Sequence, residues 1–148
     1  MAFDNASRGA LQRLVSEVRL LLDQEFSTQL ASIYGIQVNG EMASLDDLTH
    51  LSDDDFVIAS ILRKRIAHLG GTSQTRSGEA VSRVIREQAF TILNRFAAMR
   101  MAEERKIVRQ CLGRGYESEG FKLYLAISGS SMGERFERYR AYLQSLFD

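Results

Sequence analysis

The sequence predicts an all-α protein, and three observations support that prediction. The chain has no proline, although about seven would be expected at average usage, and proline is the residue that a helix interior tolerates least. Apolar residues recur at steps of three and four over long stretches, as they do on one face of a helix. Serine and acidic residues precede these stretches, as is typical of helix N-termini. We expect a bundle of at least four helices.

The first predicted helix runs from Ser7, a suitable N-cap, to Tyr34, and Gly35 ends it. Its length corresponds to about seven turns. One stripe of apolar residues marks its buried face: Leu11, Leu14, Val15, Val18, Leu21, Leu22, Phe26 and Leu30.

Two connections are predicted from their glycines. Asn39-Gly40 is a turn signal, and it leaves open a short hairpin of residues 36–38 with 41–43. The stretch "GGTSQTRSG", residues 70–78, is predicted to be a flexible linker.

The second main helix is predicted from Asp53 to about Leu69. Ser44 followed by Asp47, and Ser52 followed by Asp55, are both helix-start signals. The second opens this helix, whose acidic start suits the helix dipole.

The third predicted helix runs from Glu79 to Val108 and has an apolar arc of about 200°, which indicates a central helix contacted on two sides. Arg86, Arg100, Glu103 and Glu104 lie inside that arc. The spacing of three and four residues lets Arg100 form a structural ion pair with Glu103 and Glu104. One apolar set is Val81, Ile85, Ala89, Ile92, Phe96 and Met99; the other is Phe90, Leu93, Ala97 and Met101. We expect Phe96, at the centre of the first set, to be deeply buried.

Two shorter helices follow the glycine-rich stretch "LGRGYESEG". One is predicted over Gly120–Ile127. The other is a final amphipathic helix that uses Met132, Phe136, Tyr139, Leu143, Leu146 and Phe147.

A length of 148 residues suits one helical domain, residues 1–148. Residues 1–69 form an acidic half, residues 70–78 the linker and residues 79–148 a basic half. Residues 1–74 hold 6 Lys+Arg against 10 Asp+Glu, and residues 75–148 hold 13 against 9. This asymmetry leaves two interpretations open: a basic face for a polyanion, or two halves that attract each other.

Catalytic signatures are absent from the sequence. His50 and His68 lack metal-ligand spacing, and Cys111 is the only cysteine, which excludes an internal disulfide. Arg109 and Arg114 lie near Cys111, yet no base is indicated for it, so we expect an inert packing residue. We therefore expect no catalytic residue, metal site or cofactor site in this chain.

No apolar run approaches the about 18–20 residues that cross a bilayer. The opening "MAFDNASRGA" lacks the basic-then-apolar order of a signal peptide. We expect a cytoplasmic protein without a membrane partner.

Several ordered segments are similar to a known family. The segments "FDNASRGALQRLVSEVRLLLDQEFSTQL", "YGI" and "LTHL" resemble the opening of very large adenine-specific DNA methyltransferases. "REQAFTILNRFAAMRMAEER", residues 86–105, resembles the next signature, A-[YF]-T-x-x-N-R-[FL]-x-A-[LM]-R-[FM]. "GYESEGFKLY" and "YRAYLQSLFD" fit the same family: the PglX-type methyltransferases of BREX phage-defence systems and their restriction-modification and DISARM relatives. Lys106 stands where the family leads us to expect glycine, and we expect it to extend the helix slightly.

The resemblance implies an N-terminal helical domain, not a complete enzyme. Such methyltransferases bind S-adenosylmethionine on a Rossmann-like sheet with a D-P-A-C-G-S-G-like loop, and hold a flipped adenine with N-P-P-[YF]. A chain without proline contains neither motif, so the methyltransferase core is absent from it. The expected partners are the remainder of the methyltransferase, other defence-system subunits and DNA.

Arginines are the candidate contacts for these partners. Arg76 and Arg83 share one face of the third helix, and Arg135 and Arg138 share one face of the last helix. We expect them to contact DNA weakly and without sequence preference. Arg86 and Arg95 are candidates for a partner surface. The alternative is a free-standing helical interaction module or small regulator; a self-sufficient enzyme is the least favoured interpretation.

Overall fold

The computed structural model describes residues 4–70, 73–129 and 133–147. Its five α-helices in these ranges confirm the all-α prediction: α1 (Asn5–Ser32), α2 (Asp53–Gly70), α3 (Gln74–Glu104), α4 (Glu119–Ser128) and α5 (Arg135–Ser145). Short 3-10 turns occur at Leu45–Asp47 and Gly115–Glu117. The chain divides into two compact units, Met1–Leu93 and Asn94–Asp148. The division falls within α3 and not at residues 70–78.

In the first unit, the buried core combines residues of α1, α2 and α3 with Ile36 from the connection after α1. Its buried members are Leu30, Ile36, Ile66, Ala80, Val81, Val84 and Ile85. The side chain of Asp4 accepts a hydrogen bond from the Ser7 backbone N–H at 2.6 Å, so Asp4 and not Ser7 is the N-cap of α1. Ser52 and Asp55 bond to each other at the start of α2, as their spacing predicted.

The connection between α1 and α2 is held by backbone and arginine hydrogen bonds. Ile36 and Met42 form an isolated antiparallel bridge. The short hairpin that the sequence left open is therefore reduced to this single bridge. The Arg63 guanidinium donates to the carbonyl oxygens of Tyr34 at 3.0 Å and Ala43 at 2.8 Å. One α2 side chain therefore joins the start of the connection to its middle.

The expected linker over residues 70–78 is wrong for most of its length. Helix α2 includes Gly70, and α3 already begins at Gln74; residues 71 and 72 lie outside the described ranges. Gly40 and Gly78 let the start of α3 approach the turn closely, since a Cβ built on Gly40 would lie 2.6 Å from the Gly78 nitrogen. These glycines serve close packing.

Helix α3 ends four residues earlier than expected, at Glu104, and Lys106 is the reason. Lys106 has φ +58°, the left-handed conformation that glycine usually supplies after a helix. The Ile107 N–H bonds to the Ala102 carbonyl, and the Lys106 N–H bonds to that of Glu103, both at 2.9 Å, which makes a Schellman motif. Lys106 therefore stops the helix, contrary to the expectation that it would extend it.

The predicted 200° buried arc of α3 is also too wide. Val81, Ile85, Ala89 and Met99 are buried, but Phe96 is 40% exposed and the second apolar set is largely exposed. The unit that holds Phe96 builds its core from Met99, Cys111, Phe121 and Tyr142, and Phe96 lies outside it. Helix α3 contributes buried residues to each unit from one stripe only.

In the second unit, α4 and α5 lie close to the expected positions. Helix α5 starts with a capping box, in which the side chains of Glu134 and Glu137 each accept the backbone N–H of the other residue. Phe136 is exposed, whereas Tyr142, which the predicted stripe omitted, is buried; Met132 lies outside the described residues.

Candidate functional site

The second unit contains a buried carboxylate that organises the chain after α3. Only 4% of the Glu103 side chain is exposed. Its Oε1 accepts the backbone N–H groups of Cys111 and Leu112, and that of Gly113 at 3.3 Å. Its Oε2 accepts from Arg100. The carboxylate thereby accepts three successive N–H groups of a non-helical segment.

Arg100 links Glu103 to Glu104. One guanidinium nitrogen binds Glu103, and the other lies 2.8 Å from Glu104. The Glu104 side chain is 73% exposed, so its contact with Arg100 is a surface pair of small value. The structure thus brings these three residues together, as predicted. Glu103 is the buried member of the network, and Glu104 is the exposed one.

Hydrogen bonding lowers the pKa of Glu103. Burial alone raises it, but hydrogen bonds from Cys111, Leu112 and Arg100 outweigh burial and lower the pKa from 4.5 to about 2. Glu103 is therefore ionised at neutral pH, and it serves to hold the 111–113 segment on α3.

Cys111 is fully buried next to this carboxylate. Burial and the hydrogen bond to Glu103 raise the pKa of its thiol to about 12. The hydroxyl of Tyr139 donates to the Cys111 carbonyl at 2.7 Å. Cys111 thus packs in the core of this unit, as the sequence predicted, and the raised pKa favours the protonated thiol at neutral pH.

Aromatic rings fill the core beside this segment. Phe121 is fully buried and its ring centroid lies 5.0 Å from that of Tyr139, edge to face. Tyr116, Tyr124 and Tyr142 complete the cluster. Such aromatic packing is typical of a stabilising core.

The first unit holds three of the candidate contact arginines. Arg83 pairs with Glu87 at 3.0 Å, and Glu87 also pairs with Arg65 at 3.2 Å. Hydrogen bonds from these two guanidinium groups lower the pKa of Glu87, and the bond from Arg83 has the larger effect. Arg76 and Arg86 are exposed. Only part of the expected positive charge is therefore available to a phosphate.

Arg86 borders a cavity of 590 Å³ between α1 and the first half of α3. The Arg86 Nε donates to the Ser82 carbonyl at 3.2 Å. Asp23 and Glu79 line the same cavity, and the Asp23 Oδ1 is buried without a hydrogen-bond partner. The two carboxylates make this cavity a poor anion site.

The second unit holds Arg95, Arg135 and Arg138. The Arg95 guanidinium stacks on the Phe147 ring at 5.3 Å, and that of Arg135 stacks on Tyr116 at the same distance. Arg135 also pairs with Glu117, and the Arg138 Nε is buried without a hydrogen-bond partner. Arg95 and Arg135 therefore have structural contacts in their own unit.

The N-terminal part of α1 carries an apolar stripe that the described residues of the first unit leave uncovered. Leu11, Leu14 and Leu21 are each more than half exposed, and Val18 between them is half-buried. Their spacing of three, four and three residues places them on one face. Leu30 is the buried residue of α1. The spacing of apolar residues in the sequence predicts this stripe, and the structure leaves its N-terminal part exposed.

No group of three or more His, Cys, Asp or Glu residues in the described ranges is arranged to hold a metal ion. None of the helices there combines the length and apolar character needed to span a membrane. His50 Nε2 lies 2.9 Å from the Ile33 carbonyl, a structural contact at the end of α1.

A scan against protein-family models, a search of curated proteins and a search of solved structures each found no match.

Proposed function

We propose that this chain is the N-terminal accessory domain of an adenine-specific DNA methyltransferase of a bacterial phage-defence or restriction-modification system. In this proposal the domain is non-catalytic by itself and acts as a helical scaffold for contacts with the rest of the enzyme, with a partner subunit or with DNA. S-adenosylmethionine belongs to the parent enzyme and not to this chain. The resemblance of residues 86–105 motivates the proposal.

The uncovered apolar stripe of α1 is the observation that carries the scaffold role. Burial of a leucine side chain is worth about 1.5–3 kcal/mol, and Leu11, Leu14 and Leu21 leave most of it unused. Contiguous exposed apolar residues are typical of a surface that meets another protein. The stripe therefore favours docking over an isolated globular role.

The segment that carries the resemblance has a structural role in this chain. Within residues 86–105, Arg100 and Glu103 form the ion pair that holds the 111–113 segment. A structural role of this kind fits the proposed accessory domain.

The reading frame that encodes this chain is the most direct test. Continuation into a segment with an S-adenosylmethionine loop and N-P-P-[YF] supports the proposal. A stop codon after Asp148 favours the alternative, a free-standing helical interaction module, which the α1 stripe also fits. Calorimetry is the second test: micromolar binding of S-adenosylmethionine by the 148-residue chain would refute the accessory-domain proposal.

A further inference from the structure

Helix α2 has an outer face whose apolar residues are uncovered. Ala59 and Ile66 are fully buried on its inner face. Opposite them lie Val57 and Ile61, which are 56% and 59% exposed. Ile58, at the edge of the same outer face, is 42% exposed. Two β-branched residues one turn apart on the side away from the core are not explained by the packing of this unit.

Charges flank this apolar centre in a fixed order. Asp54 lies one turn before Val57, and Lys64 lies one turn after Ile61, on the same outer face. All four side chains belong to one stripe, which therefore has the order acid, apolar, apolar, base along the helix. Asp54 and Lys64 are both exposed. A stripe with this order is complementary to its own reverse.

The register of the four residues satisfies a two-fold axis. Residues 54 and 64 have their midpoint at residue 59, and so do residues 57 and 61. A two-fold axis that passes the outer face at the level of residue 59 therefore brings Asp54 to the second copy's Lys64 and Val57 to the second copy's Ile61. The antiparallel arrangement also places the positive N-terminus of one helix near the negative C-terminus of the other. A two-fold interface requires this kind of self-complementary surface.

We propose that α2 mediates a weak homodimer, in which its outer face packs antiparallel against the same face of a second copy of this chain. The charge order selects a second copy over an unrelated partner, because both charged pairs and both apolar contacts form from one stripe. The interface is a single helix face, so it buries less than about 1,200 Å² in total, which is typical of weak and reversible association. This inference is independent of the methyltransferase proposal.

Sedimentation velocity of the 148-residue chain at increasing concentration tests the dimer. The wild-type chain should show a mass that rises with concentration from 16.7 kDa toward twice that value. Lys64→Asp and Asp54→Lys should each weaken association about tenfold or more. In either variant homodimer, both contacts between position 54 of one copy and position 64 of the other join side chains of like charge. Arg13→Asp, the same charge change on an exposed α1 position, is the matched control and should leave association unchanged.

Mixing the two charge variants gives the decisive result. When a chain carrying Asp54→Lys pairs with a chain carrying Lys64→Asp, each of the two contacts between positions 54 and 64 joins one basic and one acidic side chain. Both attractions are thereby restored. The equimolar mixture should therefore associate more tightly than either variant alone, and 1 M salt should reduce that difference.

Ile61→Ser should weaken association through loss of the apolar centre, while circular dichroism confirms unchanged helicity. Should Asp54→Lys lose helicity, Lys64→Asp and Ile61→Ser decide, since both lie beyond the first turn of α2. A chain that stays at 16.7 kDa up to about 1 mM would overturn the proposal. The proposal would equally be overturned if neither Lys64→Asp nor Ile61→Ser weakened association. It would also be overturned if all variants were helical and the mixture of the two charge variants associated no more tightly than either alone.

Discussion

Neutralising Glu103 should destabilise the second unit, and the structure sets the magnitude. The pKa of Glu103 falls from 4.5 to about 2 on folding. At about 1.4 kcal/mol per pKa unit, that shift corresponds to about 3 kcal/mol of stability for the ionised form. Glu103→Gln keeps one carbonyl oxygen for the 111–113 segment but loses the charge. We expect it to lower the free energy of unfolding by about 2–3 kcal/mol at pH 7.

The effect should depend on pH in a defined direction. Because the folded-state pKa of Glu103 lies below its unfolded value, its stabilisation is complete above about pH 4.5. The stabilisation is lost as the pH falls from 4.5 toward 2. At pH 3 the difference between wild type and Glu103→Gln should therefore shrink to about 1 kcal/mol.

Urea unfolding followed by tyrosine fluorescence measures this effect in the correct unit. The chain has no tryptophan and five tyrosines, and all but Tyr34 lie in the second unit. Glu104→Gln is the matched control, because its side chain is 73% exposed; it should stay within about 0.5 kcal/mol of wild type. A loss below about 1 kcal/mol for Glu103→Gln, or an unchanged difference at pH 3, would refute the anchor role of Glu103.

Three further predictions test other parts of the structure. Phe121→Ala should cost about 3–5 kcal/mol in urea melts because Phe121 is fully buried, whereas Phe96→Ala, at a side chain that is 40% exposed, should cost less than half as much; equal costs would place Phe96 in the core after all. Lys106→Gly should raise the free energy of unfolding by up to about 1 kcal/mol, and the thermal midpoint with it, because glycine adopts the left-handed φ of 58° without strain. A lowered midpoint would contradict the Schellman assignment. DNA binding by the chain should be non-specific, with a dissociation constant of about 10⁻⁴ M or weaker and a log–log salt slope near −2, since Arg76 and Arg86 are the exposed candidates that have neither an ion pair nor an aromatic stack within the described residues. Titration of a labelled duplex at several salt concentrations measures both, and tight binding that is insensitive to salt would contradict the prediction.

Helix ends divide into those that local chemistry decides and those that it does not. The Ser52–Asp55 signal predicted the start of α2 because the cap and its partner are three residues apart in sequence. The end of α3 was mispredicted because lysine at Lys106 carries no glycine signal, and only the backbone shows its positive φ. Residues 70–78 were mispredicted because glycine permits both a flexible linker and close packing.

The Glu103 site was half predictable. Its pairing with Arg100 follows from helical spacing, which is a local property. Its bonds to the N–H groups of Cys111, Leu112 and Gly113 depend on how the chain folds back after α3. No residue type in that segment announces a backbone donor, because every non-proline residue has one.

The sequence by itself determined the helical class, the approximate positions of the helices and the absence of a catalytic signature. These properties follow from periodicity, capping and residue chemistry, which act over a few neighbouring positions. Only the tertiary structure decided which apolar residues are buried. Phe96 and Leu14 have the same helical periodicity as Val81 and Leu30, yet the first pair is exposed and the second buried. The physical reason is that periodicity identifies a face, whereas burial requires a second element to cover it, and that covering depends on residues far away in the chain.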